Sequence, residues 1–198
     1  SCMTSKQKRK RFENKRKRKE HRKRQKQSAM KLAYSEYLTP FEEVIYKQYK
    51  PDDISLYRWV HNPMVEDDFK PQIFQSVSSK SVDELEVPDV SAPDGVILEY
   101  TSWFTLSHFS TLEQAINMWQ SSLRKILKKY NNPDKKQKEL QKWINKKGQF
   151  VVKIDYTSES GLIGPQSDGI HKELFPFEGV DVEALVDKTF EPVKIEII

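Results

Sequence analysis

Few residues in this 198-residue chain have the types and spacing that catalysis or metal binding requires. Its four histidines lack the HExxH spacing of a zinc site, and the chain has no GxGxxG motif, phosphate-binding loop or GxSxG nucleophile motif. We therefore expect no metal site. One position is more suggestive: Arg58 lies within the apolar run LYRWV at residues 56–60. A charged side chain there is either on the exposed face of a strand or held for a ligand.

Hydroxyl groups follow Arg58, and carboxylates come near the end of the chain. The hydroxyl candidates are Tyr100, Thr101, Ser102, Thr105 and Ser107, and the carboxylate candidates are Glu178 and Glu183. The hydroxyl groups lead into the strongest amphipathic pattern in the chain, which begins near residue 112. A ligand that used all of these groups would require them to converge on one cleft.

The order of these groups resembles that of ADP-ribosyltransferase-like toxin domains, over residues 56–198. The resemblance implies that Arg58 binds the phosphates of NAD and that Tyr100 or Ser102 contacts its ribose. It also implies a catalytic carboxylate, which is either Glu178 or Glu183. Under this alternative the chain is an NAD-consuming toxin or effector.

The chain departs from the pattern of that family in two places. Its Ser-Thr-Ser element appears only as Thr101-Ser102 or as Thr105 and Ser107, and its late glutamates lack the Gln/Glu-x-Glu context. The other interpretation of the same residues is that Arg58 pairs with a surface acid and that the hydroxyl groups are ordinary strand residues.

A basic arm dominates the charge of the chain. Residues 6–31 hold 15 of the 34 lysines and arginines and only two acids, a net charge of +13, whereas the remaining 19 basic and 27 acidic residues give −8. Blocks of like charge bury no core and often bind polyanions. We predict contacts to the phosphate backbone of RNA or DNA, without strong sequence specificity. The predicted contacts are Lys8, Arg9, Lys10, Arg11, Lys15, Arg16, Lys17, Arg18, Lys19, Arg22, Lys23 and Arg24.

A second basic segment covers residues 124–147, with ten basic residues and two acids. Its candidate contacts lie largely off the apolar stripe of the predicted helix: Arg124, Lys125, Lys128 and Lys129. The alternative is that they form a solvated helix face. The arm has alternatives too, as a solubilising tail or as an assembly element that docks on an acidic surface of this or a neighbouring protein chain. The sequence favours a protein that associates with nucleic acid or a ribonucleoprotein.

The cysteine content and the hydropathy of the chain indicate its cellular compartment. Cys2 is the only cysteine, which excludes a disulfide within the chain, and there is no run of 18 apolar residues. We expect a cytoplasmic protein that does not span a membrane.

We predict one α+β domain over residues 32–198 and a basic arm, helical or disordered, over residues 1–31. Helices are predicted from about Met30, after a cap at Thr39, and at residues 112–130 and 134–146. Strands are predicted at residues 54–61, 96–104, 149–157 and 190–198, a strand or helical turn at 182–186, and a flexible loop at 161–169. The stripe of residues 112–130 is expected to pack on a small, mostly antiparallel sheet.

Overall fold

The computed structural model describes residues 5–28 and 30–198 and divides the chain into two units, Ser1–Lys31 and Leu32–Ile198. The first unit contains helix α1, Ser5–Ser28. Its sequence of Lys, Arg, Gln and Glu favours a helix and contains no glycine or proline. Two ion pairs four residues apart join Lys17 to Glu13 at 3.3 Å and Arg16 to Glu20 at 3.5 Å.

The second unit is built on a six-stranded antiparallel sheet, which confirms the predicted α+β class. The strands are β1 (Ile54–Val60), β2 (Leu106–Phe109), β3 (Phe150–Tyr156), β4 (Gly161–Pro165), β5 (His171–Pro176) and β6 (Val193–Lys194), in the spatial order β4-β5-β2-β1-β3-β6. The helices are α2 (Ser35–Leu38), α3 (Glu42–Gln48), α4 (Asp94–Thr101), α5 (Leu112–Leu127) and α6 (Pro133–Lys147). No helix among the described residues is long and apolar enough to cross a membrane.

Helix α5 packs on one face of the sheet through its predicted apolar stripe. Ala115, Trp119 and Leu123 are completely or almost completely buried there, against Phe109 and Val151 of the strands. Thr111 caps the helix by accepting a hydrogen bond from the Gln114 amide. Helix α6 packs beside α5, ends at Lys147 close to its predicted end, and is followed by Gly148.

The opposite face of the sheet buries a second apolar cluster. Alternate residues of β1, Leu56 and Val60, contribute to it, together with Val152 and Ile154 of β3 and Leu174 of β5. Strands β1 and β3 are therefore covered on both faces. This explains why their sequences are more apolar than those of strands that are half exposed to solvent.

The prediction of a strand at residues 96–104 is wrong. This segment forms α4 and a 3-10 turn, Ser102–Phe104, and the strand begins only at Leu106. The buried positions Ile97, Tyr100, Thr101 and Phe104 have the spacing of a helix, not the alternation of a strand. Pro93 and Asp94 precede the apolar residues and suit a helix start.

The prediction of a flexible loop at residues 161–169 is wrong for residues 161–165, which form strand β4, whereas residues 166–169 lie in the turn that leads to β5. The glycines there permit close contact. A Cβ atom on Gly161 would lie 2.2 Å from the Phe175 carbonyl oxygen, and one on Gly164 would lie 2.5 Å from the Tyr49 ring. Of the strand predicted at residues 190–198, only β6 (Val193–Lys194) forms, and residues 183–185 form a helical turn.

The chain from Met30 onward does not form the predicted amphipathic helix. Leu32 instead pairs with Phe177 in an isolated β-bridge, and Tyr34 adopts a left-handed conformation with φ of 60° before the short α2. Thr39 does not cap α3. Its hydroxyl donates a hydrogen bond of 2.6 Å to the Ser35 carbonyl, so it closes the preceding helical turn.

Candidate functional site

Helix α1 presents positive charge on every side. Its 24 residues include 14 lysines and arginines and two glutamates, a net charge of +12, and span about 36 Å at 1.5 Å per residue. Nine of the predicted contacts have exposed side chains: Arg9, Lys10, Arg11, Lys15, Arg16, Lys17, Arg18, Lys19 and Arg22. Lys8, Lys23 and Arg24 belong to the same helix. Its one aromatic residue, Phe12, is 80% exposed.

The second predicted basic surface lies at the end of α5 and along α6. Arg124, Lys125, Lys128 and Lys129 are all exposed, because α5 buries its opposite side against the sheet. In α6 no residue is fully buried. These four side chains are therefore accessible to a large charged partner.

The four residues predicted to be catalytic are not brought together. Arg58 lines a cavity of about 670 Å³, whereas Glu178 and Glu183 line a different cavity of about 430 Å³. Tyr100 lies on α4 and lines neither of them, because its ring packs edge-on against Phe41 and Phe104. Burial raises the pKa of the Tyr100 hydroxyl.

The larger cavity forms where β1 and β2 separate. These neighbouring strands pair only at Tyr57 and Phe109, although β1 pairs with β3 along its whole length. Beyond Tyr57 the Arg58 guanidinium reaches across, and its Nη1 donates to the Ser107 carbonyl of β2 at 2.5 Å. Its Nε donates to the Asp68 carbonyl at 2.7 Å. Arg58 thus takes the place of part of the strand ladder.

Polar and aromatic side chains surround this gap. Besides Arg58, β1 contributes Trp59, β2 contributes Ser107 and Phe109, β5 contributes His171 and Glu173, and the end of α6 contributes Lys146 and Lys147. Ser102 and Thr105, which precede β2, line the same cavity. Three of the predicted hydroxyl residues, Ser102, Thr105 and Ser107, therefore share a cavity with Arg58, while the predicted glutamates do not.

Two buried carboxylates line this cavity, Asp68 and Glu173, of which Glu173 is the more deeply buried. It is only 3% exposed and accepts a hydrogen bond of 2.8 Å from the Tyr49 hydroxyl. Burial raises the pKa of Glu173, and the hydrogen bonds from Tyr49 and Thr105 partly oppose that rise. A carboxyl group held in this state can exchange a proton with a ligand more readily near neutral pH than an ordinary glutamate can.

The aspartates of the cavity are occupied by contacts within the protein. Asp68 accepts hydrogen bonds from the backbone amides of Val65 and His61, and from the His61 ring at 2.6 Å. Asp168 contacts the His171 ring in the same way. Burial opposes protonation of His61, but its contacts to Asp68 and to the Asn145 carbonyl prevail and raise its pKa.

Arg58 and Lys147 of the cavity form no ion pair of this kind with a described residue, although the charge of Asp68 acts on Arg58 from a greater distance. No described carboxylate lies within 4 Å of the charged nitrogens of Arg58 or Lys147. Burial lowers the pKa of Arg58. Burial, together with the charges of Lys146 and Arg58, lowers the pKa of Lys147 to about 8. Positive charge without a carboxylate in direct contact, in a partly dry cavity, favours an anionic ligand.

Sequence reasoning missed Glu173, Lys147 and His61 as members of one site. Glu173 follows the segment that was predicted to be a flexible loop, so its strand was not recognised. Its signal was the run HKELFP, a charged residue beside apolar ones in a strand-like segment, which is the same signal that identified Arg58.

Comparisons of this chain with protein-family models, with curated proteins and with solved structures give no match. Within residues 5–28 and 30–198, no group of three or more His, Cys, Asp or Glu side chains is arranged to hold a metal ion.

Proposed function

We propose that the protein binds nucleic acid, alone or within a ribonucleoprotein, through the phosphate backbone and helix α1. The observation that carries this proposal is the charge density of the helix, one net positive charge per about 3 Å of length. A nucleic-acid strand in B-DNA carries one phosphate per about 3.4 Å. The two spacings are similar, so the helix can neutralise phosphates along its whole length.

The composition of α1 favours phosphate over other partners. The described side chains have no apolar stripe, which a helix needs to dock in a hydrophobic protein groove. One aromatic residue is too few for binding by base stacking. A helix fits the major groove of B-DNA, which is about 12 Å wide, but contacts to phosphates position a protein without selecting a sequence.

The experiment is a salt-titrated binding assay with the full chain and with a truncated chain that begins at Lys31. The probes are a labelled DNA duplex and a labelled RNA of the same length. If six to ten phosphates are neutralised, the affinity of the full chain falls by about 10³–10⁵ between 50 and 200 mM salt. Equal affinity of the two chains at every salt concentration would refute the role of α1.

A matched set of variants separates the two basic surfaces. Changing Arg16, Lys17, Arg18 and Lys19 to Gln keeps a strong helix former at each position and removes four charges. If all four contact phosphates, the negative slope of log affinity against log salt becomes less steep by about 3.6 for B-DNA. The control changes Arg124, Lys125, Lys128 and Lys129 to Gln and measures the share of the second surface. Binding by neither nucleic acid, with stable contact between copies of the chain, would favour an assembly role for the arm.

One observation also favours a second candidate function, the ADP-ribosyl transfer that the sequence resemblance implies. Arg58, Ser107 and Glu173 line one cavity, and its volume is within the range of small-molecule sites. The reaction breaks the bond between nicotinamide and the ribose C1′ of NAD and joins C1′ to an acceptor oxygen or nitrogen. In this proposal the buried Glu173 takes the acceptor proton, and Arg58 contacts a phosphate of NAD.

An NAD-consumption assay on the full chain tests this second candidate. Glu173→Gln keeps the size of the side chain and is expected to lower the rate by about 10²–10⁴. Glu178→Gln and Glu183→Gln are matched controls, because both residues lie on the other cavity, and they are expected to retain the rate of the natural chain. Absence of NAD turnover, or loss of activity in a control but not in Glu173→Gln, would reject it.

A further inference from the structure

Lys147 is held at a fixed place beside the larger cavity. It is the last residue of α6, and contacts on both sides anchor the backbone there. The His61 ring contacts the Asn145 carbonyl at 2.9 Å, and the Trp119 indole donates to the Gly148 carbonyl at 2.9 Å. Gly148 itself lies against the Val60 carbonyl, since a Cβ atom there would lie 2.1 Å from that oxygen.

The charges around Lys147 oppose its protonation. Arg58 of β1 and the neighbouring Lys146 are both cationic, and the Lys147 side chain is largely removed from solvent. The two buried acids of the same cavity are occupied, Asp68 by His61 and Glu173 by Tyr49, and the exposed Glu99 also lines it. With a pKa of about 8, roughly a quarter of this amine is uncharged at pH 7.5, against about one in a thousand for an ordinary lysine.

An uncharged amine in a cavity is a nucleophile. Lysines that are desolvated next to a second cation are the ones that form Schiff bases with carbonyl compounds. Here the second cation, Arg58, makes its hydrogen bonds to two backbone carbonyls, so its charge is not neutralised by a described carboxylate within ion-pair distance. A ligand that carries both a carbonyl group and an anionic group matches this pair, with its carbonyl at Lys147 and its anionic group at Arg58.

We propose that Lys147 reacts reversibly with an aldehyde or ketone ligand whose anionic group is held by Arg58. The Lys147 nitrogen adds to the carbonyl carbon and forms the C–N bond. The carbonyl oxygen then leaves as water with the two protons of the amine, which yields the imine. The step needs no oxidant or reductant, and it requires neither nucleic acid nor NAD.

Reductive trapping on the full chain tests the proposal. The probes are pyridoxal 5′-phosphate, an aldehyde with a phosphate group, and pyridoxal, which lacks the phosphate. After borohydride reduction, digestion and mass spectrometry locate the modified lysines. At pH 7.5 we expect Lys147 to be modified at least about tenfold faster than a lysine of ordinary pKa, because its larger uncharged fraction outweighs the lower nucleophilicity that accompanies a lower pKa. Its modification rate is expected to reach half of its maximum near pH 8.

Matched variants and a competitor decide between outcomes. Lys147→Arg keeps the charge and removes the nucleophile, so modification at this position is lost, whereas Lys146→Arg retains it. Because pyridoxal forms an internal hemiacetal, each rate is taken relative to that of the exposed lysines of the chain. On this scale pyridoxal is expected to react about tenfold more slowly than its phosphate at Lys147, and inorganic phosphate is expected to slow the reaction of the phosphate ester. Modification spread evenly over the lysines of the chain would overturn the proposal, and equal rates with the two probes would overturn the part assigned to Arg58. Because the mapping uses the natural chain, the result stands even if a variant fails to fold.

Discussion

Replacement of Trp119 tests both the core and the support of the cavity. The Trp119 side chain is fully buried between α5, α6 and the sheet, and its ring lies 6.1 Å from that of Trp143. Trp119→Ala is expected to lower the free energy of unfolding by about 3–5 kcal/mol, because it removes the apolar contacts and leaves a cavity. Trp119→Phe keeps most of the ring but leaves the Gly148 carbonyl without its donor, which costs about 1–3 kcal/mol.

Urea unfolding followed by circular dichroism measures both values. With a denaturant slope of about 2 kcal/mol per molar, the alanine variant unfolds at a urea concentration about 2 M lower than the natural chain. Trp103→Ala is the control, since Trp103 lines the cavity and is only partly buried, and its cost is expected to be much smaller. A cost below about 1 kcal/mol for Trp119→Ala would refute the packing described for α5.

Two further predictions concern single positions. Gly148→Ala is expected to cost about 3 kcal/mol or more, because φ is +73° and the new Cβ would meet the Val60 carbonyl, whereas Gly95→Ala on open α4 is expected to be neutral or slightly stabilising in the same urea assay. Burial, with the charge of Arg58, lowers the pKa of His108 well below 6.5, so stability is retained above pH 6.5 and falls below it by up to about 1.4 kcal/mol per pH unit. The measurement is the free energy of unfolding between pH 7 and pH 5. The His108→Gln variant is expected to lose the part of the pH dependence that is due to His108. An NMR titration of the His108 ring with a midpoint near 6.5 would contradict the prediction.

The elements that were predicted correctly are those with a clear period and clear ends. Helix α5 has an apolar stripe after Thr111, and α6 lies between Asn132-Pro133 and Gly148. Strand β1 was found because its residues are β-branched and aromatic over a short run. The strand prediction for residues 96–104 was wrong because these residues individually favour strands. Only their buried positions, which tertiary packing sets, have helical spacing.

The candidate site was less predictable than the fold. Arg58 was identified because a charge within an apolar run is unusual, but its partners lie at distant positions in the sequence. The strand that carries Glu173 was missed because the glycines of residues 161–169 were taken to indicate a flexible loop. Glycine is found both in flexible segments and where two backbones pack closely. The altered pKa of Lys147 follows from the position of the α6 end beside Arg58, and no local pattern reports that position.

The separation of β1 from β2 also has a mechanical consequence. It divides the sheet into two three-stranded halves, β4-β5-β2 and β1-β3-β6, whose strands are joined at one residue pair. Few backbone hydrogen bonds join these halves, so the apolar side chains on both faces and the hydrogen bond from Arg58 to the Ser107 carbonyl carry most of the connection between them. Arg58 and Glu173 belong to different halves. A ligand that binds both would add a direct link between the two halves, and it would stabilise the folded sheet by its own binding free energy.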